Sequence, residues 1–203
     1  MDDIKFTLGD IKEIAKEVSQ NSVIPYDDLP RYDLFLSQVT DYLNDKFSGE
    51  KYTNNIIQNY IKNEVISKPE DGRKRGYTKN HLIQLLLLSF MRPVLTTDEI
   101  KKVFKLAFNE INDGEDDIIS WELAYKTFSG VQEENYDKYS TKEYFNDKKF
   151  KQIAEEAKLQ GHDKEKIMVF LTVMNLIAEA SVIKNIAKKI IDDYLSEKSE
   201  DNL

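Results

Sequence analysis

Five side-chain amides fall close together in this chain: Asn54, Asn55, Gln58, Asn59 and Asn63. An amide carries a donor and an acceptor side by side, so it can make two hydrogen bonds to an adenine edge in a major groove. Shortly after them come Arg73, Lys74 and Arg75. Adjacent cations of this kind neutralise phosphates and hold a reading element in register. Residues 51–92 hold eight Lys or Arg against three acids, a net of +5 inside a chain of net −8, which leaves −13 elsewhere. Such segregation places a local positive potential on an acidic body. The chemistry on offer is recognition of a polyanion. The residues expected to perform it are Thr53, Asn54, Asn55, Gln58, Asn59, Lys62, Arg73, Lys74, Arg75, Tyr77 and Lys79. The plainer alternative is a solvated polar helix face followed by a charged hairpin tip.

Catalytic chemistry has little to work with. There are two histidines, His81 and His162, and no cysteine. The absence of Cys removes disulfides, thiolate metal sites and cysteine nucleophiles together. No serine is flanked as in a nucleophile elbow, and no glycine-rich loop cradles phosphates. His81 lies one turn into a helix opened by Thr78, a position that suits a structural histidine or a phosphate donor. The run Asn112-Asp113-Gly114-Glu115-Asp116-Asp117 hints at a calcium loop. With Gly114 at loop position 6, however, Ile111 falls at position 3, which needs an oxygen ligand, and Ser120 at position 12, which needs a bidentate Glu. The expectation is therefore no enzyme, no metal and no cofactor.

These residues need elements to position them. Thr53 is an N-cap, with Ile56, Ile57, Tyr60 and Ile61 behind it at helical spacing. Asp71-Gly72 signals a hairpin between two short segments able to pair as strands. Thr78 caps the next helix and Pro93 closes it. Leu85 to Leu88 is apolar all round, so that helix belongs at the centre of the core. Thr97 is read as the cap of a further helix carrying Ile100, Val103, Phe104 and Ala107 on one face. Upstream, a helix from about Tyr32 to Phe47 presents Phe35, Val39, Tyr42, Leu43 and Phe47, with Ser48-Gly49 ending it.

Two family resemblances rest on these residues. The order of elements is similar to the winged helix-turn-helix of the mercury-resistance-regulator (MerR) type, with Thr53, Tyr60, Arg73 to Tyr77, Thr78 and Thr97 to Lys101 in its motif positions. The chain departs from that pattern in the longer turn between Phe47 and Thr53, in the ending of the wing, and in lacking a coiled coil followed by cysteine ligands. The segments LPRYDLFLSQV, IQNYIK, YTKNHL and VLTTDEI more closely resemble a bacterial family called domain of unknown function eighteen thirty-six. That resemblance covers roughly residues 24–130, about one domain's length. It implies a fold and a DNA-binding role, not an activity.

The rest of the chain reads as helix. Leu8, Ile11, Ile14, Ala15 and Val18 form a stripe over residues 8–20. Trp121, Leu123, Tyr125 and Phe128 suggest a helix packing back on the core. Residues 109–147 carry eleven acids and three bases, with Tyr136, Tyr139, Tyr144, Phe145 and Phe150 expected to pack between helices. After Gly161, Asp163 can cap a long helix to about Ser196. That helix is apolar on most faces from Met168 to Ala180 and narrows to Ile183, Ile186, Ala187, Ile190 and Tyr194. Burial of this helix calls either for its own domain or for a second copy.

With 40% hydrophobic residues the chain can bury a core, and 33% charged residues suit a soluble protein. Its 7 Gly and 4 Pro argue against a turn-rich β fold. No run of about 20 apolar residues exists to span a membrane, and the acidic start lacks the apolar region of a signal peptide. A cytoplasmic location is expected. The fold expected is mostly α: an N-terminal helix over 1–23, a winged helix-turn-helix with a short β-hairpin wing over 24–108, and an acidic, helical region over 109–203 whose helix 163–196 could dimerise. The function expected is a DNA-binding transcriptional regulator acting on double-stranded DNA as a homodimer. The alternative is a helical protein-interaction adaptor that keeps the fold without the DNA.

Overall fold

The computed structural model describes residues 8–20, 23–47, 51–69, 76–115, 117–134, 155 and 161–200. The chain divides into two compact units, Ser22–Glu134 and a second one made of Met1–Asn21 with Asn135–Leu203. Among the described residues the regular structure is helical, and backbone pairing is limited to isolated bridges. No described helix is long and apolar enough to cross a membrane.

The Ser22–Glu134 unit is built around α4 (Lys79–Met91). Leu82, Ile83, Leu85, Leu86 and Leu88 are each exposed by 2% or less. A helix apolar on every side has no solvent face to offer, so its neighbours surround it. Those neighbours include α2 (Leu36–Lys46), α3 (Asn54–Lys62), α5 (Thr97–Phe104) and α6 (Trp121–Glu134), which contribute Val39, Leu43, Ile57, Ile100, Phe104, Trp121 and Tyr125 to the same core. α4 ends at Met91 with Arg92 as its C-cap, and Pro93, next in the chain, has no N–H to continue the helical ladder.

The core extends beyond residue 108. Phe108 stacks on Trp121 with ring centroids 3.4 Å apart and planes 10° from parallel. The Tyr125 hydroxyl donates to the Ile24 carbonyl at 2.8 Å, tying α6 to the start of the unit. Leu123 points the other way and is exposed, because it sits two positions from Trp121 on the helix.

Two further expectations need correction. α2 begins at Leu36 rather than near Tyr32, because the Leu34 backbone pairs with Tyr77 through N···O bonds of 2.9 and 3.2 Å. α5 is capped by Thr96, not Thr97. The carboxylate that closes the capping box is Glu99, three residues on, and it accepts the Thr96 N–H at 2.7 Å. In the segment before the expected wing turn, Val65 N–H bonds the Tyr60 carbonyl, Ser67 N–H bonds Gln84 Oε1 and Lys68 N–H bonds Asn112 Oδ1. Described residues on the two sides of the turn do not pair as strands, and Tyr77 pairs with Leu34 instead. Residues 70–75, including the Asp71-Gly72 turn, lie outside the described residues.

α3 ends in a Schellman motif. Glu64 N–H bonds Ile61 O and Val65 N–H bonds Tyr60 O, both at about 3 Å. This closure needs a left-handed residue, and Glu64 supplies it at φ 53°. Glycine takes that conformation without the steric penalty. Glu64→Gly is therefore expected to stabilise the unit by about 1 kcal/mol. A urea melt showing no gain or a loss would mean that the Glu64 side chain contributes more than the strain removes.

In the second unit, α1 (Leu8–Gln20) has Ile14 and Val18 exposed, so its stripe is not a buried one at these positions. α7 (Gly161–Glu200) is longer at both ends than the spacing suggested. Val173, Leu176, Ile183, Ile186 and Ile190 on α7 are exposed. The five aromatic residues between 136 and 150 lie outside the described residues.

Candidate nucleic-acid interface

α3 is a nine-residue helix, about 13 Å long. The Thr53 hydroxyl caps it by accepting the Ile56 N–H at 3.3 Å. Ile57 is fully buried, and Ile56, Tyr60 and Ile61 pack beside it. The other side presents Asn54, Asn55, Gln58, Asn59 and Lys62, all exposed. Their spacing of i, i+1, i+4, i+5 and i+8 makes one continuous polar stripe. The helix is thus amphipathic with amides, rather than charges, as most of its outer face.

Its position is fixed from both flanks. In front of it, Asn44 of α2 clamps the Tyr52 backbone, donating from Nδ2 to the carbonyl at 2.9 Å and accepting the N–H at 2.7 Å. The Tyr52 ring is buried, its hydroxyl pairs with Ser89 Oγ of α4 at 2.8 Å, and the Arg92 guanidinium lies 4.4 Å from its centroid. Burial raises the Tyr52 pKa, while the bonds to Ser89 and Arg92 pull it back. Behind α3, buried Gln84 of α4 accepts both the N–H and the hydroxyl of Ser67 through Oε1, at 2.8 and 2.9 Å. Asn54 is itself tied down, accepting from the Thr40 hydroxyl at 2.8 Å. Asn55, Gln58, Asn59 and Lys62 are left as the outward-facing groups best placed to meet a ligand.

The remaining expected residues divide. Tyr77 is buried in the core, bridged to Leu34 and edge-on to His81 at 5.8 Å, so it is not a surface contact. Its burial raises its pKa. Lys79 is partly buried, with its ammonium 3.6 Å from the Tyr26 ring centroid. That ring's hydroxyl donates to Glu122 of α6 at 2.5 Å. Lys79 therefore braces α6 instead of extending the polar stripe of α3. Arg73, Lys74 and Arg75 lie outside the described residues.

His81 is buried and belongs to a cap. Its Nδ1 accepts the Thr78 N–H at 3.2 Å and pairs with the Thr78 hydroxyl at 2.8 Å. Accepting at Nδ1 fixes the neutral ring with its proton on Nε2. That geometry serves the start of α4 and leaves no lone pair turned towards a substrate. Among the described residues no cluster of His, Asp and Glu could hold a metal ion. At the supposed calcium loop, Asp113 and Asp117 accept the backbone N–H groups of Glu115 and Asn109 at 3.1 Å. These carboxylates shape a turn.

Sequence reading missed Asn44, Gln84 and Ser89, which position α3 without facing outward. For two of them the signal was present. Gln84 and Ser89 interrupt an otherwise apolar helix, and a buried polar side chain has to find a partner.

Comparison with known proteins gives a family but no activity. A stretch of 67 residues is 34% identical to the uncharacterized protein YkrK of Bacillus subtilis (strain 168). The matched stretch is 32% of this chain and spans 28% of that relative's length. No solved structure matches the chain. The family model described as Domain of unknown function (DUF1836) matches residues 24–128, a span that begins just after Val23 and closes within α6. The chain therefore belongs to the DUF1836 family.

Proposed function

We propose that the Ser22–Glu134 unit is a DNA-reading module of winged helix-turn-helix type, and that the protein is a transcriptional regulator. In this reading α2 and α3 are the helix-turn-helix pair and α3 enters a major groove. The observation that carries it is the exposed amide stripe on a helix held at both flanks. Asn and Gln read adenine edges without adding charge. Arg73, Lys74 and Arg75 would supply phosphate contacts from the segment before α4, in the place of the MerR-type wing. The adaptor reading is favoured by one observation: exposed Glu64 follows directly on Lys62 and Asn63 at the end of α3.

The test is selection of bound duplexes from random DNA, followed by a salt titration. The affinity of the wild type should fall steeply with salt, as each phosphate contact releases about one counterion. Replacing Arg73, Lys74 and Arg75 together with Ala should weaken every duplex alike and reduce the log–log salt slope by up to about three. No binding to any duplex at low salt would reject the reading and leave the adaptor in its place.

A regulator of this kind spans two half-sites as a two-fold dimer. We assign the dimer seam to α7. Val173, Leu176, Ala180, Ile183, Ala187 and Ile190 are exposed at alternating three- and four-residue spacing, which is the a/d pattern of a coiled coil. In a parallel pair, Glu179 of one copy at g would face Lys184 of the other at e, and their charges are opposite. Sedimentation at micromolar concentration should give a dimer, and Ile183→Glu should give a monomer. A wild-type monomer would overturn the assignment.

A further inference from the structure

A cavity of about 330 Å³ opens between the C-terminal end of α3, α5 and the turn that follows α5. Its apolar floor is Val65, Phe104 and Phe108, all buried. Two cations and two anions share its lining. Lys101 and Lys105 are one helical turn apart, so their ammonium groups leave the same side of α5. Glu64 and Glu110 are the anions. Among the described residues none of these four makes an ion pair.

We propose that this cavity binds a small zwitterion, an α-amino acid with an apolar side chain. A simple anion drawn to the two lysines would meet the two glutamates, and a simple cation would meet the reverse. Only a ligand carrying both charges gains from all four groups. The carboxylate goes to Lys101 and Lys105, the ammonium to Glu64 and Glu110, and the side chain onto the two Phe rings. The volume sits at the small end of ligand pockets and suits a molecule of this size. Glu64 also links the site to α3, since it is the left-handed residue that closes that helix. An occupied cavity neutralises Glu64 at the end of α3, close to Lys62, and so alters the helix's affinity for DNA. This regulatory half rests on the proposed DNA-reading function, while the binding half does not.

The chain carries its own reporter. Its single tryptophan, Trp121, stacks on Phe108 of the cavity floor. L-phenylalanine, L-leucine and L-methionine should each be titrated into the full chain without DNA, with emission excited selectively at Trp121. At least one should give a saturable change with half-saturation below about 1 mM. The one-charge analogues of L-phenylalanine, 3-phenylpropanoate and 2-phenylethylamine, should bind about tenfold or more weakly than the amino acid, as expected when one of the two charge pairings is lost. Lys101→Gln, Lys105→Gln and Glu110→Gln should each weaken binding several-fold with the melting temperature unchanged. No response to any of the three amino acids overturns the proposal. Equal binding of 3-phenylpropanoate overturns it too, as does unchanged affinity in all three variants. An amino acid that binds a protein unable to bind any duplex would reject the DNA-reading function and leave this site standing.

Discussion

Leu86→Asp is expected to leave the Ser22–Glu134 unit unfolded at room temperature. Leu86 has no exposed surface and lies in the middle of α4, surrounded by Ile83, Leu82 and the neighbouring helices. The buried polar groups nearest in sequence, Gln84 and Ser89, are already engaged with Ser67 and Tyr52. An aspartate there would have neither water nor a cationic partner. The lost side-chain packing alone costs about 2–5 kcal/mol, and the stranded charge adds to that. The total is comparable with the whole stability of a domain, about 5–15 kcal/mol. Circular dichroism with a thermal melt checks it. A folded variant with an unchanged midpoint would mean that α4 is not the centre of the core.

The second large effect is expected in binding. Asn55→Ala and Gln58→Ala should each reduce affinity for the selected duplex by about 1–3 kcal/mol. The loss should be confined to particular base pairs. At those positions the variants should discriminate poorly, while elsewhere their preferences stay as in the wild type. The two sites are one turn apart on α3, so the double variant need not show the sum of the single losses. Folding stability should change by no more than about 0.5 kcal/mol, because both side chains are exposed. Asn54→Ala is a useful contrast, since it also breaks the bond from Thr40. Binding to a panel of single-base duplex variants makes the measurement. A uniform loss across the panel would place Asn55 and Gln58 on the backbone rather than on base edges.

What the sequence disclosed was the local part. The all-apolar run of α4 announced a central helix, and Thr53 and Thr78 announced the starts of α3 and α4. The exposed stripe of α3 followed from the same periodicity that buries Ile57. What it did not disclose were the bonds that distant side chains make to the backbone. Gln84 and Asn112 reach back 17 and 44 positions to claim the donors of Ser67 and Lys68. Those two bonds anchor the chain as it leaves α3, and no local spacing announces them. Tyr77 stood among the expected contacts, and its pairing with Leu34 draws it into the core instead. At Thr96 and Thr97 two equally good caps stood side by side, and only the reach of Glu99 separates them.

The clamps on α3 bear on how binding would register in a calorimeter. Asn44 and Ser89 hold its approach, and Gln84 holds its exit. A helix fixed in this way has no disorder left to surrender when it meets a ligand, so the entropic penalty of ordering a segment on contact does not arise. Proteins that fold as they bind show large negative heat-capacity changes, because apolar surface is buried within the binder as well as at the interface. For this chain the heat-capacity change of association should be small and should track the contact area alone.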